Sequence, residues 1–445
     1  MKTAKNNHQN ISQNGDTYII HGGKQLNGRV RVQTSKNATL PMLTASLMCP
    51  GQVIINDYPH ITDLDNMLEI LKGLKVNIAK TQNRLILDTS KADNSHIDMC
   101  LMKTMRSSIF LLGSMLVRFK TATIIQPGGC KIGARPIDIH LNGLRQMGVK
   151  ISEIGGQICF DASNAHSARI KLKIPSVGAT ENLVQFACLT KGKTVLTNVA
   201  KEPEIVDLCN FLISMGAKIK GAGTSKITIL GVSELKNTQY TPIEDRIVAG
   251  TLLIATAICG GKICLTNANH NHIANLIEKL KQIGCQIEIE NDIIKLTSDG
   301  KLLSPGAIST GFYPDFATDL QSQMMVLSCV ANGETEIFEH LFENRFLIVP
   351  ELQKMGAIIS VINNKHASVV GGKLHKADVT ANDLRGGASL VLAGLCAKGV
   401  TTVKNVHFID RGYENFEQIL TSLGAKIKRL WQKNQSLYHQ FYCQF

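Results

Sequence analysis

At 445 residues the chain is longer than one hydrophobic core usually grows, so two domains of roughly 200 residues each are expected. Its 44% hydrophobic and 19% charged residues exclude a disordered chain, and no uninterrupted apolar run reaches the roughly 18 to 20 residues of a membrane span. The net charge of +13 is spread along the chain with no basic run interleaved with aromatics, which argues against nucleic-acid binding and suits an anionic small-molecule substrate.

The first 16 residues are rich in Asn and Gln and lack an apolar leader core, so a cytoplasmic location is expected. The 12 cysteines occur singly with no CxxC pair, and Cys188, Cys209, Cys329 and Cys396 fall in apolar helical runs, as buried thiols of a reducing compartment would. A strand pattern, GKQLNGRVRVQ, precedes the first apolar helix and could complete either domain.

From there a motif recurs: a helical pattern ending in Leu or Met, a Gly, and a strand. It appears as LRQMGVKI (Leu144 to Ile151), LISMGAKI (Leu212 to Ile219), LKQIGCQI (Leu280 to Ile287), LQKMGAII (Leu352 to Ile359) and LTSLGAKI (Leu420 to Ile427). The pivotal glycines, Gly148, Gly216, Gly284, Gly356 and Gly424, are 68, 68, 72 and 68 residues apart. A degenerate first copy, LKGLKVNI (Leu71 to Ile78), carries Lys75 at the glycine position. A glycine there lets a helix stop in the left-handed conformation at no steric cost. Between copies lies a more uniformly apolar helix followed by a turn and a strand, as in KNATLPMLTASLMCPGQVIINDY and DRIVAGTLLIATAICGGKICLTNA. Six units of about 70 residues, each with two helices and about four strands, therefore tile the chain, three to a domain, with a break near Pro242 to Glu244. The pattern predicts a mixed α/β (α+β) protein in which sheets wrap around buried helices.

The densest chemical constellation is PGGCKIGARPIDIH, Pro127 to His140. Its glycines make a mobile loop, and Lys131 and Arg135 place positive charge beside Cys130, which favours thiolate and binds anions; an incidental loop thiol is the plainer reading. Asp138 and His140 follow at a helix start, where a cap and a ligand contact are both open. Charged residues recur at the N-terminal edges of the apolar helices: Lys36 with Asn37, Arg106, Asp319 and Arg385. Arg345 and Arg411 stand at the edges of the other helix type. Singly each reads as a cap or a solvated charge. Repeated at equivalent positions they point to a common cleft for phosphate or carboxylate. PSVGATEN, Pro175 to Asn182, offers backbone donors suited to a diphosphate, without the GKS or GKT of a Walker motif.

Read in order, SKNATLP, PGGCKIGARPIDIH, PSVGATEN, EPEIVDL, TDLQ, ENRF, DLRGGASL and IDRGYE resemble the UDP-N-acetylglucosamine 1-carboxyvinyltransferases among the enolpyruvyl transferases, over roughly Tyr18 to Lys428. The resemblance implies a two-domain inverse α/β barrel, or α/β prism, with residues 1–35 plus 245–445 in one domain and residues 36–244 in the other. It implies transfer of the enolpyruvyl group of phosphoenolpyruvate to the 3′-hydroxyl of UDP-N-acetylglucosamine, without metal, organic cofactor or obligate protein partner. The alternatives are a diverged paralogue acting on another UDP-sugar and a non-catalytic nucleotide-sugar binder. Cys130, Asp319, Lys36 and Arg411 match the family's catalytic positions: Cys130 the acid, Asp319 the contact to the attacking hydroxyl. Lys36, Asn37, Arg106, Arg135, Arg385 and Arg411 match phosphoenolpyruvate contacts. Arg106, Arg135, Pro136, Ile137, Asp138, Ile139, Ser176, Val177, Gly178, Asp319, Leu341 and Arg345 match UDP-sugar contacts. The sequence departs from the pattern at Thr34 and Ser35, where Gly and Ala are usual, which adds side chains beside the site with room to crowd the backbone. It departs also at Val248, Asp315, Ala317 and Phe408, and in a tail, residues 431–445, that has no counterpart.

Overall fold

A computed structural model of the protein describes residues 16–93, 109–125 and 137–431. Twelve α-helices among these residues fall into six pairs in chain order: α1 (Lys36–Ala45) with α2 (Thr62–Gly73), α3 (Leu111–Phe119) with α4 (Asp138–Gln146), α5 (Val177–Cys188) with α6 (Pro203–Ser214), α7 (Arg246–Cys259) with α8 (Ala274–Gln282), α9 (Gln321–Val330) with α10 (Val349–Lys354), and α11 (Leu384–Cys396) with α12 (Phe416–Ser422). The first helix of each pair is buried along almost its whole length, and the second buries one stripe. That division follows from composition: α7 carries only apolar residues and threonines after its first residue, whereas α8 alternates Leu276, Ile277 and Leu280 with lysines.

Strands alternate buried and exposed positions, as in Gln52–Asn56, where Val53 and Ile55 point inward. They form five four-stranded sheets and one three-stranded sheet among the described residues. Each unit contributes an antiparallel set, and a parallel edge strand completes the four-stranded sheets. The buried helices lie inside, and the sheets form the outer wall. Two separate cores result. One joins Tyr18 to Val32 with residues from Ile247 to Ala425, and the other runs from Ala38 to Leu235.

Closure involves distant strands. Leu26–Arg31 pairs in parallel with Gly261–Thr266, and Thr17–His21 inserts antiparallel between Val400–Lys404 and Lys426–Leu430. Thr238–Tyr240 pairs in parallel with Gln52–Asn56. The opening strand pattern, which by itself fitted either half, thus joins the sheets of the C-terminal half.

All five pivotal glycines have positive φ, from 84° to 113°, and Lys75 at the degenerate position takes the same left-handed turn with φ 61°. A second left-handed position recurs after the strand that follows a buried helix, at Asp57, Asn198, Asn267 and Asn405. Short polar side chains tolerate that conformation best after glycine. None of the described helices is long and apolar enough to cross a membrane.

Candidate active site

The site forms where helix edges from both halves meet. α1 starts at Lys36, capped by Ser35, whose Oγ accepts from the Ala38 N–H at 3.3 Å. α7 is capped by Asp245, which accepts from the N–H groups of Ile247 and Val248, both at 3.0 Å, and also from that of Lys36 at 3.2 Å. α11 is capped by Asp383, which accepts from the N–H groups of Arg385 and Gly386. These carboxylates satisfy helix donors and place Lys36 and Arg385 at the mouths of buried helices.

Asp319 lies in a short turn before α9 and is the hub of one cluster. Arg345 donates to its Oδ1 at 2.5 Å, and Arg385 donates to its Oδ2 from Nε at 3.2 Å and from Nη2 at 3.0 Å. Burial by itself would raise the Asp319 carboxyl, but Arg385, Arg345 and Lys36 together outweigh it and hold the group far below the usual carboxylate range. Arg345 also donates to Thr318 Oγ1, which donates to Glu339, so its guanidinium is fixed in two directions. The Arg385 side chain lies over the Tyr413 ring, whose hydroxyl meets Thr251 and Gln323. Its Nη1 is buried and has no acceptor among the described residues.

A second cluster centres on Asp63 in the first turn of α2. Lys36 Nζ donates to its Oδ2 at 3.1 Å, and Arg411 donates from Nε to Oδ1 at 2.8 Å. Burial would raise Asp63, but Lys36 and Arg411 pull it below the ordinary carboxylate range. Burial lowers the Lys36 ammonium; Asp63 opposes that fall, while Arg385 and Arg411 add to it. Because Arg385 acts on Lys36, and Lys36 on Asp319, the two clusters share one field.

A third pair crosses between the halves: Arg246, the first residue of α7, donates to Glu204 of α6 at 2.9 Å and lies over the Tyr313 ring. A crevice of about 320 Å³ beside it is lined by Pro175, Asn198, Lys201 and Ser225 from one half and by Phe312 to Asp315 from the other. Ser176 adjoins it and caps α5 through the Ala179 N–H at 3.4 Å.

The structure therefore brings together Lys36, Asp319, Arg345, Arg385 and Arg411. Asn37 follows Lys36 on α1. Val177 and Gly178 begin α5, and Gly178 faces the His140 ring, so a Cβ there would lie 3.2 Å from His140 Cε1. Asp138 is the exposed first residue of α4, preceded by the buried Ile137 and followed by the partly buried Ile139, and α4 shows no side-chain cap hydrogen bond among the described residues. Leu341 gives its N–H to Glu339. Cys130, Arg106, Arg135 and Pro136 lie outside the described residues.

At the two departures before Lys36, Thr34 gives its hydroxyl to the Asp57 carbonyl and Ser35 caps α1, so both side chains are hydrogen-bonded to the backbone. Sequence reasoning missed Asp63, Asp245, Glu204 and Arg246. For Asp63 and Glu204 the available signal was the recurrence of an acid in the first turn of the amphipathic helices, at Asp63, Asp138, Glu204, Glu351 and Glu417. Among the described residues no cluster of His, Cys, Asp and Glu is grouped to hold a metal ion.

A family model described as EPSP synthase (3-phosphoshikimate 1-carboxyvinyltransferase) matches residues 20–420. UDP-N-acetylglucosamine 1-carboxyvinyltransferase 2 of Caldanaerobacter subterraneus subsp. tengcongensis is 46% identical over 415 residues, 93% of this chain and 99% of that protein. UDP-N-acetylglucosamine 1-carboxyvinyltransferase of Pelagibacter ubique is 43% identical over 413 residues, 92% of this chain and 99% of its own. Among solved structures, the enolpyruvyl transferase NikO from Streptomyces tendae superposes with a TM-score of 0.84 at 24% identity, covering 94% of this chain and 100% of that one. EPSP synthase from Acinetobacter baumannii gives 0.72 at 17% identity, covering 94% and 100%. The two structural likenesses establish the fold.

Proposed function

Because the chain belongs to the UDP-N-acetylglucosamine 1-carboxyvinyltransferases of the enolpyruvyl transferase family, we propose that it transfers the enolpyruvyl group of phosphoenolpyruvate to the 3′-hydroxyl of UDP-N-acetylglucosamine. Phosphate is released, and the reaction is the first committed step of peptidoglycan precursor synthesis in the cytoplasm. The observation that carries the reading is Asp319 held ionised between Arg345 and Arg385, with Arg385 Nη1 left without an acceptor and Lys36 in the same field.

In the addition step the sugar 3′-oxygen bonds to C2 of phosphoenolpyruvate while a proton is delivered to the C3 methylene. In the elimination step C3 loses a proton and the C2–phosphate bond breaks, which restores the double bond. Cys130 supplies the first proton, and Asp319 receives the proton of the hydroxyl. An Asp319 carboxyl held so far down is a weak base before substrates bind. An anionic substrate that draws Arg385 and Lys36 toward itself relieves that hold and strengthens the base. Lys36, Asn37, Arg106, Arg135, Arg385 and Arg411 take the phosphate and carboxylate and stabilise charge developing on them. Ile137 to Ile139, Ser176 to Gly178 and Leu341, with Arg135 and Pro136, contact the nucleotide sugar. Two domains, residues 1–35 plus 245–445 and residues 36–244, flank the site, a division supported by the two separate cores.

The test is phosphate release by the pure protein given phosphoenolpyruvate and UDP-N-acetylglucosamine. Release that requires both substrates is the expected result; a folded protein that releases none, or that turns over another UDP-sugar faster, overturns the reading.

A further inference from the structure

Asp63 is the deepest member of its cluster. Its side chain is 3% exposed, that of Lys36 13% and that of Arg411 35%, so both cations stand between the carboxylate and solvent. Both carboxylate oxygens are used: Oδ1 by Arg411 Nε at 2.8 Å, and Oδ2 by Lys36 Nζ at 3.1 Å and Arg411 Nη2 at 3.4 Å. The three groups come from far apart, Asp63 from α2, Lys36 from the start of α1 and Arg411 from the segment before α12. Two hydrogen bonds join the segments that carry Asp63 and Arg411. Thr62 donates its N–H to the Asp410 carbonyl at 3.0 Å, and Glu414 accepts from the His60 N–H at 3.1 Å. The first turn of a helix also favours a carboxylate.

We propose that Asp63 is a positioning residue for phosphoenolpyruvate, a resident carboxylate that gathers Lys36 and Arg411 and presents the pair as one anion receptor. The inference rests on the assignment of those two cations to the phosphoenolpyruvate site. One negative charge against two positive ones leaves the trio cationic, so an incoming phosphate or carboxylate is attracted while each cation keeps a fixed direction. The groups facing Lys36 are Asp63 from α2, Arg411 from its segment, Arg385 from α11, Asp245 at the cap of α7, and Asp319 before α9. Of the carboxylates among them, Asp63 is the one hydrogen-bonded to the ammonium, so it opposes the burial that lowers Lys36.

Asp63→Asn in the full-length protein separates positioning from simple screening. If Asp63 only screened the site, its neutralisation would strengthen the positive field and lower KM for phosphoenolpyruvate. Positioning requires KM for phosphoenolpyruvate to rise about tenfold, with KM for the UDP-sugar changed less than about twofold. The alkaline limb of kcat/KM for phosphoenolpyruvate moves to lower pH, because Lys36 loses the anion that holds its proton. Asp63→Glu keeps the charge and tests the geometry if the Asn variant does not fold. It retains the alkaline limb while KM for phosphoenolpyruvate rises severalfold. A lowered or unchanged KM in either variant, or equal losses for both substrates with no shift of the limb in Asp63→Asn, overturns the proposal. Calorimetric titration with phosphoenolpyruvate alone is run in parallel. A wild-type protein that binds phosphoenolpyruvate without turnover defeats the activity reading only, and weaker binding by Asp63→Asn then upholds this one. A wild type that does not bind phosphoenolpyruvate defeats this one.

Discussion

Asp319→Asn keeps the shape of the side chain at the hub and removes its charge. Arg345 and Arg385 are only 2% and 4% exposed, so water cannot replace what is lost. Each charged hydrogen bond is worth about 1.5–3 kcal/mol net, and a buried cation stripped of its partner costs about 3–5 kcal/mol. The amide oxygen still accepts from one arginine, so the expected destabilisation is about 3 kcal/mol. The exposed Lys72–Glu69 pair, with both side chains about half exposed, is the control, and Glu69→Gln is expected to cost about 0.3 kcal/mol. Urea unfolding of both variants at neutral pH measures the difference, and a fall in Tm of about 6–10 °C for Asp319→Asn accompanies it. The sign of the pH dependence follows from linkage. The folded carboxyl titrates below its ordinary value of 3.8, so its stabilisation is complete above about pH 5 and is lost only as pH falls toward the folded value. The gap between wild type and variant is therefore flat through neutrality and narrows in acid. A gap under about 1 kcal/mol at pH 7, or one that widens on acidification, would refute the reasoning that these arginines depend on Asp319.

Lys75→Gly is expected to stabilise the protein by about 0.5–1 kcal/mol in thermal unfolding, since the left-handed turn at φ 61° strains a side chain more than glycine's extra unfolded-state freedom costs. Gly113→Ala is expected to destabilise by about 2–3 kcal/mol, because a Cβ there would lie 2.4 Å from the Asn182 carbonyl oxygen where α3 packs against α5. Burial pushes Asp207 up to about 6, so it binds a proton in the folded state that the unfolded chain releases near pH 4. Stability relative to Asp207→Asn is expected to fall by about 2 kcal/mol as pH rises from about 4 to 6, measured by paired denaturant titrations. Burial raises the Cys209, Cys329 and Cys396 thiols to about 12, which makes them poor nucleophiles at neutral pH. Covalent labelling by fosfomycin is expected at Cys130 rather than at these three and to be lost in Cys130→Ser, with peptide mass mapping as the check.

The architecture was legible because each unit must solve the same local problem: stop a helix, turn, and start a strand within a few residues. Glycine answers it five times, and Lys75 was recognisable as the sixth position from spacing alone. The left-handed Asp57, Asn198, Asn267 and Asn405 recur in four of the six units and are a weaker signal in the sequence, since Asn and Asp in turns carry many meanings. Of the site, the helix-edge charges Lys36, Asp319, Arg345, Arg385 and Arg411 could be found from their repeated placement. Asp63 and Glu204 could not be told from Glu417 and Asp138, because an acid in a first turn satisfies the helix dipole wherever the helix goes. Tertiary closure separates them: Glu417 accepts from the Tyr18 hydroxyl and Asp138 faces solvent, whereas Asp63 and Glu204 receive cations from segments remote in sequence.

The placement of Leu26–Arg31 beside Gly261–Thr266 sets a timetable for synthesis. A chain emerging at about 5–20 residues per second completes the first strand roughly 10–50 seconds before its partner exists. In that interval the core from Ala38 to Leu235, whose sheets close with Thr238–Tyr240, can assemble without the N-terminal strands. Thr17–His21 waits longer still, for Val400–Lys404 and Lys426–Leu430. The nascent N-terminal half thus trails two open strand edges past a finished neighbour, and among the described residues the last strand translated seals a sheet begun by the first.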